Sequence, residues 1–226
     1  MNWSNRPLGI SWVRVMLLGF SLLYSRALIA APSPQANQTA ASAGETGEAS
    51  ELTEEEARQI KTTECFLDIL LKNPRYGTAL DRVYGHHVEF GTLDKLLQSL
   101  KDRASSEADA GAVWMLLGLF ESQRGNDAAA VEALHQAEQL RPSDALASYY
   151  LGQAQLRIGQ SNAAIASFER AIERKPARAD LLEIFQTLGR VHQRAQRTDQ
   201  AMEVWQRLES LFPDDPRVLE QIAVTL

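Results

Sequence analysis

The sequence predicts an all-α protein, a solenoid of stacked helix pairs. Two blocks repeat each other 34 residues apart: Gly118, Gly125, Ala130, Ala137 and Pro142 recur as Gly152, Gly159, Ala164, Ala171 and Pro176. A period in this range marks units that bury a continuous core only by stacking on their neighbours. Composition agrees, since leucine and alanine are abundant and only 7% of residues are aromatic, a balance that favours helices over strands.

The N-terminus precedes the repeats and has its own logic. Arg6 and Arg14 flank a segment without acids, Val15–Tyr24 is an uncharged apolar run, and small residues follow at Ala30 and Ala31. This is the layout of a secretory signal over 1–31. The alternative is an uncleaved membrane anchor, although the 11 residues between Arg14 and Arg26 fall short of the roughly 20 a spanning helix needs. The sole cysteine, Cys65, lies far from the cleavage site, which excludes a lipoprotein anchor. Residues 32–51 contain no large apolar side chain, so nothing offsets the entropy of ordering them, and a flexible linker is expected.

The elements then follow in order. Thr53 with Glu56 forms a capping box that opens a helix, and Asn73-Pro74 closes it. Gly77–Phe90 and Thr92–Arg103 form a degenerate pair, so 52–110 reads as degenerate N-terminal helical repeats. Three clearer pairs occupy 111–226: Gly111–Arg124 with Asp127–Arg141, Ala145–Ile158 with Ser161–Lys175, and Leu181–Ala195 with Thr198–Leu211. Asp127, Ser161 and Thr198 are expected as caps of second helices, and Asp144 and Asp180 as caps of first helices. The third pair is displaced by 37 residues instead of 34, which places an extra turn of helix or loop near Ala177–Leu181. A last single helix, Pro216–Leu226, begins with Asp215 as cap and serves either as a closing cap or as the start of further repeats.

Trp114, Leu117, Gly118, Ala130, Leu134, Ala137 and Pro142 carry the pattern in the first clear pair. Leu151, Gly152, Ala164, Phe168, Ala171 and Pro176 carry it in the second, and Phe185, Leu188, Gly189, Ala201, Trp205, Leu208 and Pro213 in the third. This set resembles the tetratricopeptide repeat (TPR) family. The resemblance implies a right-handed α-solenoid of helix-turn-helix repeats whose first helices line a concave, partner-binding groove. It places Met115, Leu119, Tyr149, Gln153, Arg157, Gln186, Arg190 and Arg194 along that groove. The strip runs from apolar to basic, which suits a protein or peptide ligand with an apolar anchor and an acidic stretch. The lysine and asparagine clamp by which some members hold a C-terminal carboxylate is missing, since the matching positions carry Met115, Leu119, Tyr150, Glu183 and Gln186.

No catalytic chemistry is expected. The chain lacks HExxH, paired-cysteine zinc spacing, GxSxG and a phosphate loop. Glu121 and Gln155 share one offset in their repeats, as do His87 and His192, on the packed side of the helix pair, where a structural role explains them. Cys65 reads as an inert small hydrophobe. A net charge of −6 argues against nucleic acid. The expected function is a non-enzymatic protein–protein interaction scaffold without cofactor or metal. It is expected to be exported to the periplasm or cell envelope, with membrane contact only if the N-terminal segment stays uncleaved. The alternative is the N-terminal repeat portion of a longer protein whose catalytic or transport module lies elsewhere.

Overall fold

The computed structural model describes residues 53–106, 110–213 and 215–225. The expected signal (1–31) and linker (32–51) lie outside the described residues. The rest is all helix: α1 (Glu54–Lys72), α2 (Thr78–Glu89), α3 (Leu93–Ser106), α4 (Ala110–Gln123), α5 (Asp127–Leu140), α6 (Ala145–Arg157), α7 (Ser161–Glu173), α8 (Arg178–Arg194), α9 (Thr198–Leu211) and α10 (Pro216–Thr225). Among the described residues there is no strand.

Local chemistry sets most boundaries. The Thr53 backbone N–H donates to Glu56 Oε2 at 2.8 Å, and the Glu56 N–H donates to Thr53 Oγ1 at 3.2 Å. The Thr53 N–H and the Thr53 hydroxyl, which donates to the same Glu56 Oε2 at 2.9 Å, hold the Glu56 carboxyl below its ordinary range. Asp144 caps α6 by accepting from the Leu146 N–H at 2.9 Å. Asp127, Ser161 and Thr198 do not cap. Each is the first helical residue of its helix, and the caps are Asn126, Gln160 and Arg197, none with a side-chain bond. Asp180 is also inside its helix, because α8 already starts at Arg178.

The pairs α4/α5, α6/α7 and α8/α9 close tightly through one device. A methyl group at Gly118 would come within 2.5 Å of Leu134, and one at Gly152 within 2.5 Å of Phe168. At Gly189 it would meet the Trp205 ring closer still. The missing side chain is what lets each partner helix approach. The core then runs without a break from Leu70 to Val218.

The break in period is absorbed as helix. α8 has 17 residues where α4 has 14 and α6 has 13. Its extra first turn carries two long-range ion pairs: Arg178 binds Asp215, and Arg75 Nη2 lies 2.6 Å from Asp180 Oδ1.

α4 is apolar on all sides, and every residue from Gly111 to Glu121 except Trp114 is buried. Such a helix must be covered on all sides. Both α3 and α1 pack on it, as well as α5 and α6.

Candidate functional site

The first helices α4, α6 and α8 lie side by side. Between α6 and α8 is an open cleft of about 420 Å³. Helical spacing aligns its walls: Tyr149, Gln153, Leu156 and Arg157 from α6 face Glu183, Thr187, Arg190 and Arg194 from α8. The cleft lies beside the extended helix α8, where the repeat loses its period.

Five of the expected groove residues meet here: Tyr149, Gln153, Arg157, Arg190 and Arg194. Gln186 stands on the same helix outside the cleft lining. Met115 and Leu119 require correction. Both are 0% exposed, because the N-terminal helices cover the α4 face that would have been open. The groove's apolar end is therefore core, and the accessible part is polar and basic. Glu183 and Thr187 complete the site, although the sequence pattern alone does not single them out for it. A signal was available: residues 183, 187, 190 and 194 form one helical stripe.

The cleft is internally ordered. Tyr149 Oη donates to Glu183 Oε1 at 2.8 Å and lies 3.4 Å from Thr187 Oγ1. Burial, and behind it the Glu183 carboxylate, raises the Tyr149 hydroxyl well above the ordinary phenol range, against the Thr187 bond. Burial likewise pushes Tyr150 up to about 12. Both rings thus act as neutral hydrogen-bonding groups at physiological pH.

The three arginines differ. Arg157 is occupied: its Nε sits 2.5 Å from Asp127 Oδ1 and its Nη2 donates to Ser122 Oγ. Arg190 makes long contacts within its own helix, at 3.3 Å to the Gln186 carbonyl and 3.5 Å to Thr187 Oγ1. Among the described residues neither Arg190 nor Arg194 is paired with a carboxylate, and both are exposed.

Other candidate chemistry resolves into structure. The offset shared by His87, Glu121, Gln155 and His192 faces the packed side. Glu121 binds Asn126 and Arg124, Gln155 accepts from Ser167 Oγ at 2.8 Å, and His87 Nδ1 lies 2.7 Å from Thr92 Oγ1. His192 is buried, and its Nδ1 has no hydrogen-bond partner among the described residues. Cys65 is exposed, so it is not a packed hydrophobe. Among the described residues no cluster of His, Cys, Asp and Glu could hold a metal ion, and no helix is long and apolar enough to cross a membrane.

Comparisons with known proteins agree with this architecture. The tetratricopeptide repeat family matches at residues 117–179, and a second match with the same description covers residues 186–215. No curated protein matches the chain. Among solved structures, the crystal structure of MamA aligns over 76% of this chain and 95% of its own, with 19% identity and a TM-score of 0.50. A thermophilic TPR protein in Thermus thermophilus aligns over 75% of this chain and 91% of its own, with 20% identity and a TM-score of 0.48. YrrB, described as a TPR protein with an unusual peptide-binding site, aligns over 72% and 82% at 15% identity and a TM-score of 0.48.

Proposed function

We propose that this chain, which carries tetratricopeptide repeats over 117–179 and 186–215, is a protein–protein interaction scaffold that captures an acidic protein segment on the face formed by α6 and α8, at the cleft between them. The observation that carries this reading is the state of Arg190 and Arg194. Elsewhere on the solenoid Arg124, Arg170, Arg174 and Arg207 are each held by a carboxylate. In the cleft, two exposed guanidinium groups stand one helical turn apart, neither paired with an acid among the described residues. Guanidinium forks suit carboxylates, and Leu156 offers an apolar wall beside them. The function needs no catalysis, cofactor or metal.

The test is binding of a fluorescein-labelled peptide, leucine followed by four glutamates, read by anisotropy. The pair Arg190→Glu/Arg194→Glu should weaken binding by at least about tenfold while helicity is retained, because like charges face each other across the interface. Undiminished binding shows that the basic stripe is not the site. Arg157 is left intact, since its reversal would also break the Asp127 pair.

The same reading includes export to the cell envelope through residues 1–31, on the strength of Arg6, Arg14, the Val15–Tyr24 run and Ala30-Ala31. Mass spectrometry of the chain recovered from an envelope fraction should give an N-terminus at Ala31 or Pro32. An intact Met1 terminus overturns cleavage.

A further inference from the structure

The linker between α1 and α2, residues 73–77, crosses the face just described. Its contacts touch three first helices in succession. Tyr76 Oη donates to Ser122 Oγ of α4 at 2.9 Å. The Tyr76 ring stands edge-on to Tyr150 of α6, with centroids 5.0 Å apart, and its N–H donates to Tyr150 Oη at 3.4 Å. Arg75 reaches Asp180 of α8 at 2.6 Å. This is a non-helical segment held by side chains of an α-solenoid face, the arrangement a bound peptide would adopt.

Three further observations separate this linker from an ordinary core connection. First, its grip is partly solvated: Tyr76 is 37% exposed and the Arg75 side chain 45%. The Asp180 side chain is 14% exposed, so water reaches the pair from the Arg75 side, where the guanidinium can exchange the carboxylate for water. Second, its α8 anchor sits on the extra turn. Asp180 belongs to the segment by which the third repeat departs from the 34-residue period, so the irregular turn supplies the carboxylate that receives Arg75. Third, linker and cleft share atoms. Ser122 Oγ accepts from both Tyr76 and Arg157, and Arg157 lines the cleft. On the other side Tyr150 stacks near Tyr149, which donates to Glu183 in the cleft.

We infer that the 73–77 linker is a built-in occupant of the partner-binding face, and that an acidic segment entering the α6/α8 cleft displaces it. This rests on the cleft being the partner site. Displacement comes from overlap: an acidic segment that runs from Arg190 past Arg157 reaches Ser122 and Tyr150, the two groups that seat Tyr76. Conversely, a seated Tyr76 narrows the face on which a longer partner must lie. The protein therefore binds with an affinity reduced by the fraction of molecules in which the linker is lifted.

The full chain tests this with the same labelled peptide of leucine and four glutamates. Tyr76→Ala removes the occupant's ring without changing charge. It should tighten binding by on the order of 3- to 10-fold, the gain expected if the face is open in about a third to a tenth of wild-type molecules. Tyr76→Phe keeps the ring and loses only the Ser122 bond, and should give a smaller gain. Hydrogen exchange at the Tyr76 amide of the wild type should accelerate when the peptide saturates the protein. If wild type and Tyr76→Ala bind equally, the occupant is overturned and the cleft stands. If neither binds, both fall. Should Tyr76→Ala fail to fold, an unchanged Tyr76 exchange rate on saturation of the wild type is sufficient to overturn the proposal.

Discussion

The helix pairs α8/α9 and α2/α3 occupy equivalent places in the period but are built differently. In α8, Gly189 lies directly against Trp205 of α9. In α2 the residue at the corresponding offset is Tyr84, half-buried, and the nearby Gly85 has nothing within 4 Å of where a side chain would begin. α8 and α9 pack along their lengths, whereas α2 meets α3 sparsely and packs chiefly on α1. The lesson is that the pattern of apolar residues places helices in sequence, but the small residue opposite a bulky one decides whether two helices become a unit. Without that close approach α2 turns to α1, and the linker joining them is carried onto the first-helix face.

The sharpest way to break this comparison is to attack the two pairs in parallel. Trp205→Ala should cost about 3–5 kcal/mol, as for other fully buried large aromatics. Gly189→Ala should cost about 1–3 kcal/mol, because the new methyl meets a rigid ring that cannot move aside without repacking α9. Gly85→Ala should do the reverse and stabilise by about 0.5–1 kcal/mol, since it replaces glycine within an exposed stretch of helix with open space around it. Urea denaturation of the three variants checks the set. Equal penalties at Gly85 and Gly189 would show that the two pairs do not differ in the way described.

Much of this was legible in the sequence, for physical reasons that differ by feature. Gly118, Gly152 and Gly189 announced close packing because a regular spacing of small and bulky residues has few other uses. The Thr53 and Asp144 caps were readable because capping is local. The displacement of three residues located the insertion near Ala177–Leu181 as helix or loop, because three residues are nearly one helical turn, and the structure resolves it as helix. What was not legible depends on packing between distant segments. Offsets within a repeat cannot say that α1 and α3 pack on α4, in which Met115 and Leu119 are buried. Nor can they say that Asp127, 30 residues away, already holds Arg157. The seating of Arg75 and Tyr76 is of the same kind, since their partners stand 105 and 46 residues along the chain.

A second contrast lies between successive repeats and predicts a smaller effect. Where α4 and α8 place Trp114 and Phe185, α6 has the fully buried Ser148. The space is filled by polar groups: Ser148 donates to Glu138, which also binds Arg170 at 2.9 and 3.0 Å and Arg174 at 3.4 Å. At the next junction Arg207 grips Glu169 at 2.9 and 3.0 Å, and lies 5.4 Å over the Phe185 ring. Burial raises the Glu138 carboxyl, but Arg170, Ser148 and Arg174 together hold it below its ordinary range. Glu138→Gln should therefore destabilise by roughly 1–2 kcal/mol at neutral pH. The sign of the pH dependence follows from the depressed value. The carboxylate's contribution is present above the unfolded carboxylate range and is lost as pH falls through the folded value, so the variant's deficit should shrink in acid. Glu169→Gln, at a more exposed pair, should cost about 0–1 kcal/mol. If the two substitutions cost the same, the polar filling at Ser148 contributes no more than the exposed pair.

The smallest expected effect returns to the two unlike pairs through their histidines, which share one offset. His192 in α8 is buried, and desolvation, followed by the Arg197 charge, lowers its pKa from 6.5, against Glu169 and Glu203. His87 in α2 is lowered in the same direction by desolvation and by His86, but it is half-buried and touches Thr92. A histidine with a lowered folded value binds its proton more readily when unfolded. Its neutral form costs nothing above pH 6.5, and stability falls as pH drops below that value until the folded histidine is also protonated. Gln155 shows that the same offset accepts a neutral amide, which takes a hydrogen bond from Ser167. His192→Gln should therefore flatten the loss of stability between neutral and mildly acidic pH more than His87→Gln does. Denaturation midpoints measured across that range decide it. A larger flattening from His87→Gln would mean that the loosely joined α2/α3 pair, and not the tight α8/α9 pair, carries the protonation-sensitive packing.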